Sequence, residues 1–142
     1  MTSGDGLLRA LLRQHEGERM FPYVDTVGKT TIGVGRNLTD VGLYPDEISY
    51  LFTNDLNRCI DDLMGFEWFR VLDANRQRAL VDLRFQLGPT RFREFHATIA
   101  ALATRDYTLA SANLLRSLYA QQVPQRAKTI AAMIAGTDTR NA

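Results

Sequence analysis

The strongest constraint on the fold is that every strand-like segment of the chain falls within residues 20–35. There, aromatic, Val, Thr and Ile residues are interrupted by Pro22 and by three glycines. This pattern is typical of a short twisted hairpin, with its turn near residues 26–28. From Pro45 onward, apolar residues instead recur at helical spacing. We therefore predict an α+β fold that is mainly α, with one small antiparallel sheet near the amino terminus.

Local signals predict where the helices begin and end. Closely spaced leucines predict a first helix that Ser3 or Asp5 caps and that ends near Gln14 or Glu16, before Gly17. Pro45 opens a helix that runs to residue 64, about 30 Å long at 1.5 Å per residue. The remaining predicted elements are a loop at 36–44 and helices at 73–87, 91–104, 107–121 and 124–135, and the last of these helices begins at Pro124.

Length and charge exclude several classes of protein. With 142 residues and a formal net charge of +1, the chain predicts a single domain and no nucleic-acid partner. The charge is uneven, because residues 1–71 hold 7 basic and 11 acidic side chains and residues 72–142 hold 10 and 5. No segment approaches about 18 apolar residues, so we expect no membrane span. Cys59 lies on the apolar stripe of its helix, which predicts a buried thiol rather than a nucleophile.

The candidate chemistry lies between the first helix and the hairpin. Glu16 ends the helix, Asp25 follows nine residues later in the turn, and Thr31 lies on the returning strand. Two carboxyl groups in different environments, one donating a proton and one activating water, are what hydrolysis of a glycosidic bond requires. Spacing alone is a weak signal, because a chain with 16 acidic residues contains such pairs by chance.

A longer set of motifs makes this signal specific. The hairpin motif combines Glu16-Gly17, Tyr23, Asp25-Thr26, Gly28 and the run TIGVG at 31–35. In the second half, RAL at 78–80, FQLG at 85–88, NL at 113–114 and PQRAK at 124–128 follow in order. Together they make the chain resemble the phage-type lysozymes of glycoside hydrolase family 24, from about Leu7 to Gly136.

The resemblance implies a muramidase that hydrolyses the β-1,4 bond from N-acetylmuramic acid to N-acetylglucosamine in peptidoglycan, with inversion. On the matching positions, Glu16 would be the general acid, Asp25 would orient or activate the attacking water, and Thr31 would help to hold that water. Inversion predicts that the two carboxyl groups are about 6.5 to 9.5 Å apart, whereas about 5 Å would indicate retention.

The resemblance also implies a lysozyme-like two-lobed architecture within one domain, residues 1–142. The amino-terminal lobe with the small sheet would cover about 12–50, the connecting helix about 45–64, and the all-helical carboxy-terminal lobe about 66–142, with the first helix packed on it. Phe85 and Gln86 match residues of the cleft floor, with plain core packing an equal alternative for Phe85, and Asn113 matches a substrate-binding asparagine. Thr98 stands where the family has a serine, and Asn37 stands where the family often has an apolar residue that contacts the sugar.

Three further residues match supporting positions. Arg126 matches an arginine that pairs with the catalytic glutamate. Arg36 stands where the family usually has a histidine, and the expected partner is Asp55 on the long helix. This substitution predicts a permanently charged pair in place of one that titrates between about pH 5 and 8.

Two other functions remain open, a lytic transglycosylase and a catalytically silent wall-binding module on the same fold. The intact set of Glu16, Asp25 and Thr31 favours hydrolysis. We expect peptidoglycan glycan strands as the partner, a monomer, no cofactor and no metal site. Arg9 and Arg13 interrupt the leucines of the first helix, which argues against a secretory signal. The resemblance then implies synthesis in the host cytoplasm with action on the wall after release, or a virion-associated copy.

Overall fold

The contacts within the chain divide it into two units in the computed structural model, which describes residues 1–137. The first unit is Met1–Tyr50, and the second begins at Leu51. The boundary falls inside the long helix predicted from Pro45, which is observed as α2 (Pro45–Met64). The sequence-derived lobe bounds, and the packing of the first helix on the second lobe, stay predictions.

The first unit begins with helix α1 (Gly6–Glu16). Asp5 caps it, because its Oδ1 accepts a hydrogen bond from the amide of Leu8 at 3.0 Å. Gly17 ends it with φ at 78°, and its amide donates to the carbonyl of Arg13. The predicted cap and end of this helix are confirmed.

A three-stranded antiparallel sheet follows, in the order β1 (Arg19–Val24), β2 (Thr30–Gly33) and β3 (Arg36–Asn37). The hairpin between β1 and β2 is the predicted one. The third strand corrects the prediction that 36–44 is entirely loop, since Ile32 and Thr31 of β2 pair with its two residues. Such a short strand leaves no period-two pattern in the sequence.

The second unit is all helical in the part that the structure describes, as predicted. After α2 come α3 (Glu67–Arg70), α4 (Ala74–Arg93), α5 (His96–Ala103), α6 (Tyr107–Leu115), α7 (Leu118–Gln122) and α8 (Pro124–Ala135). Gly88 interrupts α4 with φ at 81°, as the Gly-Pro pair predicts. The chain from 89 to 93 then continues as a further helical segment, which includes the first residues of the helix predicted from about residue 91.

Two predicted helices are each broken in the structure. The stretch 91–104 is divided before His96, and the stretch 107–121 is divided at Arg116 and Ser117. At the second break the Ser117 hydroxyl donates to the carbonyl of Leu114 and accepts from the amide of Ala120. The spacing of apolar residues alone would extend the preceding helix through this position. A serine that caps a helix in this way instead starts a new helix.

The apolar core lies in the second unit, where α8 packs against α4, α6 and α7. Its largest fully buried side chains are Phe92, Leu63, Leu80, Leu83, Leu102, Leu114, Ile130 and Ile134. The Cys59 thiol is buried as predicted, and burial raises its pKa. None of the helices within residues 1–137 is long and apolar enough to cross a membrane.

The first unit is stabilised differently. Among its described residues, Thr31 is the one side chain that is less than a tenth exposed. Hydrogen bonds and ion pairs between its segments are therefore prominent: Arg13 with Glu18, Lys29 with Asp40, and Arg36 with Glu47.

Candidate active site

Asp25 is fixed by the turn that contains it. Its main-chain amide donates to the carbonyl of Lys29 at 2.9 Å, and its carbonyl accepts from the amide of Gly28, which has φ at 85°. The carboxylate oxygen Oδ1 accepts from the amides of Val27 at 3.0 Å and Lys29 at 2.8 Å. Oδ2 accepts no hydrogen bond from the described residues. The turn therefore orients one carboxylate oxygen and leaves the other available to a ligand or to water.

Thr31 lies on the middle strand and is 4% exposed. Its backbone is paired on both sides, with Tyr23 of β1 and Asn37 of β3. Its hydroxyl donates to the carbonyl of Lys29 at 3.1 Å. Because the hydroxyl proton is used in this bond, the lone pairs of Oγ1 can accept a hydrogen bond from a water molecule.

Glu16 is the last residue of α1, and its carboxyl group lies against the turn between β2 and β3. A Cβ atom built on Gly35 would be 2.9 Å from Glu16 Oε2, and Gly35 has φ at 71°. Only a residue without a side chain leaves the carboxyl group in this position and adopts this backbone conformation without strain. The glycine of the sequence motif thus has a direct structural role beside the predicted acid.

Asn37 is engaged within its own loop. Its Nδ2 donates to Asp40 Oδ2 at 3.0 Å, and its Oδ1 accepts from the amide of Asp40 at 2.9 Å. The side chain predicted to contact the sugar is therefore used in local hydrogen bonds within its own loop.

Arg36 has a partner within its own unit that the sequence did not indicate. Arg36 Nη1 lies 2.6 Å from Glu47 Oε2, and Asp55, in the second unit, lies 3.5 Å from Arg58. The pairing of Arg36 with Asp55 that the resemblance implies stays a prediction. Glu47 is held in place because its Oε1 also accepts from the amide of Tyr44, the residue before the first turn of α2. The hydrogen bond from Arg36, then that from Tyr44, lowers the pKa of Glu47.

Arg126 likewise has a partner that the sequence did not indicate. Its Nε donates to Asp82 Oδ1 at 2.8 Å, and both side chains are about two-fifths exposed. The pairing of Arg126 with Glu16 stays a prediction.

The remaining predicted substrate residues lie in the second unit, and three of them line two cavities. Phe85 and Arg126 line a cavity of about 610 Å³. Thr98 and Asn113 line another of about 550 Å³, together with Arg91 and Arg116. Phe85 is 40% exposed and its ring meets that of Phe52 edge to face, so it packs and still presents a surface. Gln86 is exposed.

Lys29 contributes to the site in a way that the sequence did not indicate. Its main chain contacts both Asp25 and Thr31, and no side-chain pattern signals such a role. Within residues 1–137, no group of three or more His, Cys, Asp or Glu side chains is arranged to hold a metal ion.

Comparison with known proteins identifies the family. A family model described as phage lysozyme matches residues 13–133. The chain belongs to the phage lysozyme family. This confirms the resemblance, and it makes the chain a lysozyme-type glycosidase with peptidoglycan as its substrate class.

Several curated proteins are similar to the chain. "Probable T4-type lysozyme 2" of Dictyostelium discoideum is 24% identical, over 87% of this chain and 90% of that protein. "Probable T4-type lysozyme 1" of the same organism is 22% identical, over 95% and 96%. "Pre-baseplate central spike protein Gp5" of Enterobacteria phage T4 is 26% identical, over 87% of this chain and 27% of that protein. The similarity thus covers nearly the whole of two lysozymes and part of a larger virion protein.

Proposed function

We propose that the chain hydrolyses the β-1,4 bond from N-acetylmuramic acid to N-acetylglucosamine with inversion at the anomeric carbon. The observation that carries this proposal is the hydrogen bonding of Asp25 and Thr31. One oxygen of Asp25 is held by two amides, and the proton of Thr31 is committed to the carbonyl of Lys29. Asp25 Oδ2 and Thr31 Oγ1 are then two acceptors for the two protons of one water molecule.

Glu16 supplies the acid in this mechanism. Its protonated carboxyl group donates to the glycosidic oxygen as the bond between that oxygen and the anomeric carbon breaks. Water attacks the carbon from the opposite face and transfers a proton to Asp25 as the new carbon–oxygen bond forms. The products are an α-configured reducing muramic acid end and a free 4-hydroxyl on glucosamine. A separation of about 6.5 to 9.5 Å between the two carboxyl groups is expected for this geometry.

Residues of the second unit extend the proposed binding of substrate. Phe85 offers an exposed ring face to a sugar, and Gln86 offers an exposed amide. Thr98 and Asn113 offer polar groups beside a cavity. Arg126, held by Asp82, is proposed to stabilise the carboxylate form of Glu16 after proton transfer. Asn37 acts through the shape of its loop, since its amide is used within that loop.

Two routes of delivery to the wall are consistent with the proposal. The T4-type lysozymes match the chain over nearly their whole length, whereas the phage T4 spike protein carries the similar segment as about a quarter of a longer chain. We therefore retain both a copy released from the host cytoplasm and a virion-associated copy.

The test is product analysis on purified peptidoglycan with the wild-type chain, Glu16→Gln and the control Glu18→Gln. Wild type and Glu18→Gln should release reducing muramic acid ends, and Glu16→Gln should release none while unfolding at an unchanged temperature. Proton NMR of the first product should show the α anomer. Mass spectra with 1,6-anhydro ends would identify a transglycosylase instead, and no products from wild type would identify a silent wall-binding module.

A further inference from the structure

Lys29 connects the two residues proposed to hold the attacking water. Its amide donates to Asp25 Oδ1 at 2.8 Å, and its carbonyl accepts both from the amide of Asp25 at 2.9 Å and from the hydroxyl of Thr31 at 3.1 Å. A rotation of this one peptide segment would therefore move the carboxylate and the hydroxyl together.

The side chain of Lys29 is tied to a different segment. Its Nζ lies 3.2 Å from Asp40 Oδ1 and 3.1 Å from Asp40 Oδ2, eleven residues along the chain. Asp40 is itself held by Asn37, which donates to its Oδ2 and accepts from its amide. The ammonium group is thus anchored to a loop that has its own internal hydrogen bonds.

Neighbouring bonds join the same two segments. The amide of Thr30 donates to Thr39 Oγ1 at 2.9 Å, and the amide of Leu38 donates to the carbonyl of Thr30 at 2.8 Å. Thr31 is the one strongly buried side chain among the described residues of this unit, so apolar packing contributes little to fixing the hairpin. Polar links between segments must supply that rigidity.

We propose that the Lys29–Asp40 ion pair is a positioning device that holds the main chain of Lys29, and through it Asp25 and Thr31, in the geometry for water attack. This inference rests on the proposed hydrolysis. Lys29 and Asp40 are positioning residues in this account, because their effect on the reaction passes through Asp25 and Thr31. Both side chains are well exposed, so the effect of the pair is modest, about a two- to five-fold change in kcat.

The experiment measures kcat and KM on soluble, uncross-linked peptidoglycan strands for Lys29→Met, Asp40→Ala and the double variant. Each single variant should lower kcat about two- to five-fold with KM unchanged. The double variant should fall no further than the singles, because both remove the same link. Lys29→Arg, which keeps the charge, should restore most of kcat. Arg13→Met, which breaks another exposed ion pair of this unit, should leave kcat unchanged.

A second measurement does not depend on catalysis. Hydrogen exchange at the amide of Lys29 should accelerate in Lys29→Met and Asp40→Ala and stay at the wild-type rate in Arg13→Met. Losses that multiply in the double variant, a rise in KM alone, or unchanged amide exchange would each overturn the positioning role. Absence of products from the wild-type chain refutes the proposed hydrolysis, whereas normal kcat in both single variants refutes only this inference.

Discussion

Replacement of Asp62 by Asn should destabilise the second unit in a way that depends on pH. Asp62, on α2, binds two arginines of α4. Arg84 Nε lies 2.7 Å from its Oδ2, and Arg93 donates to both of its carboxylate oxygens. Arg84 is only 8% exposed, so its charge relies on this partner. The hydrogen bonds from Arg93 and then Arg84 outweigh burial and lower the pKa of Asp62 from 3.8 to about 2.

The size of the effect follows from that pKa. A difference of nearly two units corresponds to about 2.4 kcal/mol at 1.36 kcal/mol per unit. Screening by solvent around the half-exposed Arg93 reduces this, so we expect Asp62→Asn to lower the free energy of unfolding by about 2 kcal/mol at pH 7. The pKa is lower in the folded state, so this stabilisation is complete above about pH 5. It disappears as the pH falls from about 4 to 2.

Urea unfolding followed by the fluorescence of Trp68, the one tryptophan of the chain and a residue of this unit, measures the difference directly. It should be recorded at pH 7, 5, 3 and 2 for wild type and for Asp62→Asn. The matched control is Asp61→Asn, an exposed neighbour that should differ from wild type by less than about 0.5 kcal/mol. A destabilisation by Asp62→Asn that is equal at pH 7 and pH 2, or absent at pH 7, would refute the reasoning.

Three other outcomes are expected. Gly35→Ala should lower kcat about 10- to 100-fold by displacing the Glu16 carboxyl group. Gly33 has a similar positive φ but open space around it, so Gly33→Ala should cost only about 1 kcal/mol of stability. Arg36→His should unfold at a lower temperature at pH 8 than at pH 5, because the pair of the new histidine with Glu47 needs a protonated imidazole. The unfolding temperature of wild type should change little between these pH values, and thermal melts followed by circular dichroism test both expectations. Wall lysis should slow as salt rises above about 0.1 M if the basic residues beyond position 71 attract the acidic wall, and a rate independent of salt would contradict this.

Much of the fold was predictable because it depends on neighbouring residues. The aspartate before α1, Pro45 as the first residue of α2 and the Gly-Pro pair inside α4 act on the backbone within one turn of helix. The two breaks in the later helices were not predictable from periodicity, because apolar residues continue across both. At Ser117, the competing hydrogen bond of a side chain decided the outcome.

The candidate site was likewise predictable in part. The predicted positions of Asp25 in the turn and Thr31 on the returning strand follow from the hairpin, and the structure places both residues there. Their hydrogen bonds to Lys29 were not predictable, since they use main-chain groups that every residue possesses. Sequence motifs consist of side-chain identities, so they identify the residues of a site better than the main-chain atoms that hold those residues in place.

The ion pair of Arg36 shows how the local structure selects the partner of an arginine. A guanidinium on its long flexible stem reaches several carboxylates, and the choice depends on which of them is already held in place. Glu47 is held by the amide of Tyr44 at the start of α2, so pairing with it costs Arg36 little additional ordering. Asp55 lies mid-helix with Arg58 one turn away as a local partner. Arg36, with its long side chain and permanent charge, therefore pairs with a carboxylate that the start of α2 already orients, and its expected pairing with Asp55 stays a prediction.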